Sequence, residues 1–267
     1  MKKISRLPLI TSTLAFVLAG MLVITIHELS HLVMSLSLGV PAILFPNFVV
    51  QPDQTTSWQI ILTAGTGPLF SLISGLLIIW LIKDWLKGSS KTFTKLLVLW
   101  FGFLSAEVGF GYFFIAPLVA GGDTGQVLSL LNASWFVYAI IFAAGVAGFL
   151  LLLPRVLSAR LSSFAHDKSS FFQLSMFPWL IGTGILLVIY TLSIAVTSIS
   201  HIDAPGLIAL MGVVTIGVFA PMADFNKLHA GHNKNVVFNL PVAGIVMSSL
   251  IGLFIIFILS RGIHFGL

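Results

Sequence analysis

The chain reads as long apolar runs divided by short polar segments. Runs near residues 7–39, 60–82, 96–118, 133–153, 171–199, 205–222 and 237–260 can each cross the roughly 30 Å hydrocarbon core of a bilayer, which takes a helix of about 20 residues. This pattern predicts an all-α polytopic membrane protein with about seven transmembrane helices. Between the first two runs, in segment 41–59, Phe45, Phe48, Val49 and Val50 are mixed with Pro, Gln and Thr residues. That mixture suits either a short β-hairpin at the membrane surface or an irregular loop.

Composition sharpens the picture. Apolar residues make up 58% of the 267 and charged residues 8%, against about 25% charged in an ordinary soluble domain. A soluble globular enzyme is excluded, and the length used by the spans leaves room only for a single integral-membrane domain over 1–267. The absence of cysteine excludes disulfides, thiolate zinc sites and cysteine nucleophiles, so any metal must be held by histidines and carboxylates.

The net charge of +5 does not point to nucleic acid, because the basic residues sit between apolar runs, where they report topology. Three lie at the N-terminus, four in 83–95, three in 154–170 and two in 223–236, with Arg261 alone on the other side. The positive-inside rule then predicts a cytoplasmic N-terminus in a cell-membrane protein. Loops 40–59, 119–132 and 200–204 and the C-terminus fall on the outer face. The start, with Lys2, Lys3 and Arg6 before an apolar stretch, looks like a signal peptide that could be cut near Ala19-Gly20, but the apolar run continues and the first span is expected to be retained.

Near the outer end of the first span stands His27-Glu28-Leu29-Ser30-His31, an HExxH motif. Helical spacing of i and i+4 puts both imidazoles on one face, able to hold one zinc ion, with a carboxylate beside them to accept a proton from water. With seven His and two Glu in the chain, a random match is on the order of one in a thousand. Inside a membrane span, polar side chains that serve only helix packing would not favour this order and spacing.

A catalytic zinc takes a third protein ligand and keeps an open position. Asp123, in Gly121-Gly122-Asp123-Thr124-Gly125 after the third span, falls on the same face as the HExxH end and is the best candidate; alone it would read as a Gly-rich turn residue. Glu107, the other acid deep in an apolar run, is the alternative ligand or a hydrogen-bond partner to a ligating histidine. His201 and Asp203 also map to the outer face, whereas Asp224, His229 and His232 map to a cytoplasmic loop too far away to take part. The second span opens with Ala64-Gly65-Thr66-Gly67-Pro68-Leu69-Phe70-Ser71. Its small residues suit either helix packing or, through Gly67 and Ser71 one turn apart, a groove for an extended substrate beside the metal.

HExxH at the end of a first span, a Gly-Pro-Leu-x-Ser stretch opening the second and an Asp after the third together resemble the site-2 protease family of intramembrane zinc metalloproteases. The resemblance covers about residues 20–130. It implies a three-helix catalytic core within 1–130, with 131–267 as four additional spans. It further implies one Zn2+ per chain on His27, His31 and Asp123, Glu28 as general base, and Gly67 and Ser71 matching the family's Gly-x-x-x-Asn/Ser/Gly pattern. Where the family usually has Leu-Asp-Gly, this chain has Gly122-Asp123-Thr124. The expected activity is hydrolysis of peptide bonds in or near transmembrane segments, on a membrane-protein or membrane-associated peptide substrate. Two other readings use the same residues: a membrane zinc hydrolase of a lipid or amide, and an ion-coupled transporter or metal-binding membrane protein without catalysis.

Overall fold

The computed structural model describes residues 6–85, 92–165, 168–197 and 236–266. Helices α1 (Leu7–Ser37), α2 (Ser57–Trp85) and α3 (Thr92–Ile115) come first, followed by a short α4 (Asp123–Leu130). Next, α5 (Trp135–Ala147) runs through a π-helical turn into α6 (Leu153–Leu161), and α7 (Lys168–Leu174) leads into α8 (Met176–Val196). The last helix, α9 (Val242–Phe257), is followed by a turn of 3-10 helix. Among the described residues, six helical segments are long and apolar enough to cross a membrane, and the chain is a mostly helical, multi-pass membrane protein. The expected span at 205–222 lies outside the described residues.

α1 is the hub of the bundle. It opens with Pro8, which has no N–H to lose in a first turn, and ends where Gly39 takes φ +71°, a left-handed conformation that closes helices. Its middle is buried on all sides: Phe16 meets Gly182 and Gly20 meets Leu186 on α8, while Met21 approaches Gly252 on α9. Rising residue numbers on both partners show that α8 runs parallel to α1. α2 runs the other way, with Thr63 beside His31 and Ser71 beside His27. α2 and α3 touch through small residues: a Cβ on Gly75 would lie 2.2 Å from the Ala106 nitrogen, and one on Gly109 would lie 2.5 Å from Leu72 Cβ.

Some polar groups in this core are tied to one another, the arrangement that a bilayer favours. The fully buried Trp100 of α3 meets Phe16 edge-on at 5.0 Å and donates from Nε1 to Ser12 Oγ at 3.0 Å. Ser12 in turn donates to the Leu174 carbonyl at 2.7 Å, joining α1, α3 and α7. The outside of the bundle is apolar instead, with Trp80, Trp135, Phe136 and Leu250 widely exposed, which suits a surface facing lipid rather than water.

A three-stranded sheet sits at one end of the bundle. β1 (Ala42–Leu44) and β2 (Val49–Val50) come from the segment between α1 and α2, and β3 (Ile263–Phe265) from the C-terminal residues; the order is β2-β1-β3 and both pairs are antiparallel. Leu44 pairs with Val49 and Ile43 with His264. Leu32 of α1 packs under Ala42, Leu44 and Leu259, which seats the sheet on the end of α1 that carries HExxH. Among the described residues, Arg6, Lys83, Lys95, Arg155, Arg160 and Lys168 lie toward the end away from the sheet, and Arg261 alone lies on the sheet side.

Candidate metal centre

His27 and His31 stand one turn apart near the sheet end of α1, both buried, as helical geometry dictates for an i, i+4 pair. Asp123 is the first residue of α4, so its carboxylate lies at the positive end of that helix. Gly125 allows the turn from α3 into α4 to fold tightly, since a Cβ there would lie 2.2 Å from the Val119 carbonyl oxygen. The result is a triangle. Asp123 Oδ2 lies 3.1 Å from His27 Nε2 and 3.1 Å from His31 Nε2, and the two Nε2 atoms are 3.1 Å apart.

No family model matches the chain, and no curated protein or solved structure does either. The chemistry of the site therefore has to be read from its own geometry. Tetrahedral zinc ligands at about 2.0–2.1 Å from the ion lie about 3.3 Å from one another, so a triangle with 3.1 Å sides nearly matches one face of such a site. The tautomer of His31 points the same way. Its Nδ1 lies 2.7 Å from the Thr63 carbonyl oxygen, which can only accept, so Nδ1 carries the proton of the neutral ring and Nε2 is a bare lone pair. That lone pair faces another imidazole nitrogen and a carboxylate oxygen. Three such atoms converging in this way need positive charge among them, which a proton on one imidazole or a divalent cation supplies. The residues fit zinc.

The surroundings orient the two imidazoles. His27 Nδ1 is 3.0 Å from Ser71 Oγ on α2, and Gly67, one turn earlier, lets α2 lie directly against both rings: a Cβ there would be 2.3 Å from His31 Nε2 and 2.8 Å from His27 Cε1. Gly67 and Ser71, expected along a substrate groove, thus meet the two imidazoles, and the Thr63 carbonyl that fixes His31 carried no sequence signal at all. Burial alone would raise the Asp123 carboxyl. With His31 protonated, its charge and the hydrogen bonds from the histidines outweigh burial and hold the group below the usual carboxylate range.

The triangle is open on one side. Asp123 keeps 24% of its side chain exposed, against 4% for His27 and 7% for His31. It faces a cavity of about 450 Å³ that is also lined by Glu28, His31, Tyr112, Phe48, Val49 and Gln51. Glu28 therefore shares the cavity with two of the three converging side chains. Tyr112, which belongs to none of the sequence motifs, stacks on His27 with ring centroids 5.1 Å apart and planes 7° from parallel. Tyr112 also lines the cavity beside Asp123.

Glu107 is not part of the cluster. It is buried in α3, 2% exposed, and neither carboxylate oxygen finds a hydrogen-bond partner among the described residues. His201, Asp203, Asp224, His229 and His232 lie outside the described residues.

Proposed function

We propose that this chain is an intramembrane zinc metalloprotease of the site-2 protease kind, cleaving peptide bonds in or near transmembrane segments of membrane-protein substrates. The observation that carries this reading is the 3.1 Å triangle of His27, His31 and Asp123 with Glu28 on the wall of the adjoining cavity. His27, His31 and Asp123 would hold the ion. Zinc, when bound, supplies a Lewis acid that polarises a scissile carbonyl and makes water acidic enough to ionise near neutral pH. Glu28 accepts the proton of the attacking water and passes it to the amine that leaves. Burial of the two histidines excludes bulk water from all but the cavity side.

A helical substrate hides its peptide bonds in its own hydrogen bonds, so it has to unwind to be cut. The sheet offers the extended chain a place to go. β3 covers one side of β1, leaving β2 as an edge among the described residues, and Val49 of β2 lines the cavity. The Phe45 nitrogen donates to the Phe48 carbonyl at 3.0 Å, so the next pair, Leu44 with Val49, is a non-bonded pair of the antiparallel ladder. The N–H and C=O of Val49 therefore point away from β1, where an added strand can take them. Positive charge gathers at the end away from the sheet, which supports a cytoplasmic N-terminus and a metal site nearer the outer face.

The test is cleavage of a generic transmembrane reporter by the purified full chain, with product masses read by mass spectrometry. Products whose masses sum to substrate plus one water across a single peptide bond, lost with a chelator and restored by zinc, are expected. Release of an acyl chain instead would favour the lipid hydrolase, and ion flux indifferent to Glu28→Gln without any hydrolysis would favour the transporter.

A further inference from the structure

Both imidazoles of the triangle are held by groups outside it. For His27 that group is the Ser71 hydroxyl and for His31 the Thr63 carbonyl, both from α2. A further group reaches His27 from α3. We infer that Tyr112 is a positioning residue of the site, its ring fixing the plane of His27 and with it the direction of Nε2. The inference rests on the metalloprotease reading and names a residue that HExxH does not contain.

Three observations carry it. The Tyr112 ring lies nearly parallel to the His27 ring, at a separation typical of offset stacking, so rotation of the imidazole about χ2 meets the phenol face. The Ser71 hydroxyl meets His27 at the single atom Nδ1, so that bond alone does not fix the plane of the ring. Tyr112 also lines the cavity together with Glu28, His31 and Asp123, so this one side chain brings α3 to both His27 and the cavity. Partners of this kind typically change metal affinity by 10–100-fold when removed, by letting the ligand rotate away from the ion.

The experiment uses the purified full chain in detergent and zinc alone as the probe, with affinity measured by competition against a chromophoric chelator and geometry by the visible spectrum of the Co2+-loaded protein. Tyr112→Phe keeps the stacked ring and removes only the hydroxyl; Tyr112→Leu removes both; Tyr138→Phe, on α5, is the control. The expected result is a zinc Kd raised about tenfold or more in Tyr112→Leu, with a shifted Co2+ spectrum, and wild-type Kd and spectrum in Tyr112→Phe and Tyr138→Phe. Wild-type Kd and spectrum in Tyr112→Leu would overturn the inference while leaving the metalloprotease reading in place. Zinc weakened in Tyr112→Leu and kept in Tyr112→Phe, in a wild type that binds zinc but cuts no peptide bond, would sustain the positioning role and overturn the protease reading instead.

Discussion

At the residue scale, the proposed reading gives Glu28 and the histidines beside it separable jobs. Glu28 lines the cavity but lies outside the triangle, so Glu28→Gln is expected to retain zinc while cleavage falls by at least two orders of magnitude, the usual scale for a lost general base. Metal analysis and a cleavage assay on the same sample check this. Gly67→Ala tests how tightly α2 is pressed against the site. The added methyl would stand 2.3 Å from His31 Nε2, and a backbone shift to relieve it should cost about 1–3 kcal/mol and displace both rings. Lower thermal stability together with lost zinc is the expected outcome; normal zinc binding would mean that α2 yields without moving the histidines. His27, Glu28 and His31 were legible in the sequence because i, i+4 spacing has a single geometric meaning on a helix. Tyr112 was not, because an aromatic residue in an apolar run looks the same whether it packs against lipid or against an imidazole.

At the scale of elements, the sheet edge beside the cavity makes its own claim. The Val49 N–H points away from β1, so Val49→Pro removes a donor to an added strand without removing a bond of the existing ladder. A single lost hydrogen bond of about 1–1.5 kcal/mol corresponds to roughly tenfold in kcat/KM, with zinc content unchanged. An unaltered kcat/KM for a transmembrane reporter would mean that substrates do not pair with β2. The hairpin strands of segment 41–59 were open to sequence reading through their β-prone residues. The third strand was not, because pairing Ile43 with His264 joins positions more than two hundred residues apart, and nothing local in either segment announces the other. The helix positions followed from hydropathy more closely: the long apolar runs correspond to segments such as Leu7–Ser37 and Thr92–Ile115, with ends displaced by a few residues where turns and caps decide them.

For the whole molecule, topology is what brings Asp123 to the histidines. The sequence suggested this by assigning the end of the first span and the loop after the third to one face, and the parallel run of α1 and α3 is the physical reason it works. Orientation in the membrane is testable because the chain has no cysteine, so single-cysteine variants report without background. Gln54→Cys, exposed in the segment before α2, should react with an impermeant maleimide on intact cells, and Ser169→Cys, exposed at the start of α7, only after lysis; the reverse pattern would place the site on the cytoplasmic side. The central claim is that three side chains hold a catalytic metal and a fourth does the proton chemistry. Its most direct test is zinc content and reporter cleavage measured together for wild type, Glu28→Gln and Asp123→Ala in one detergent preparation. The account predicts about one zinc per chain and cleavage in wild type, zinc without cleavage in Glu28→Gln, and loss of both in Asp123→Ala. A wild type that binds no zinc, or a Glu28→Gln variant that still cuts, would contradict it.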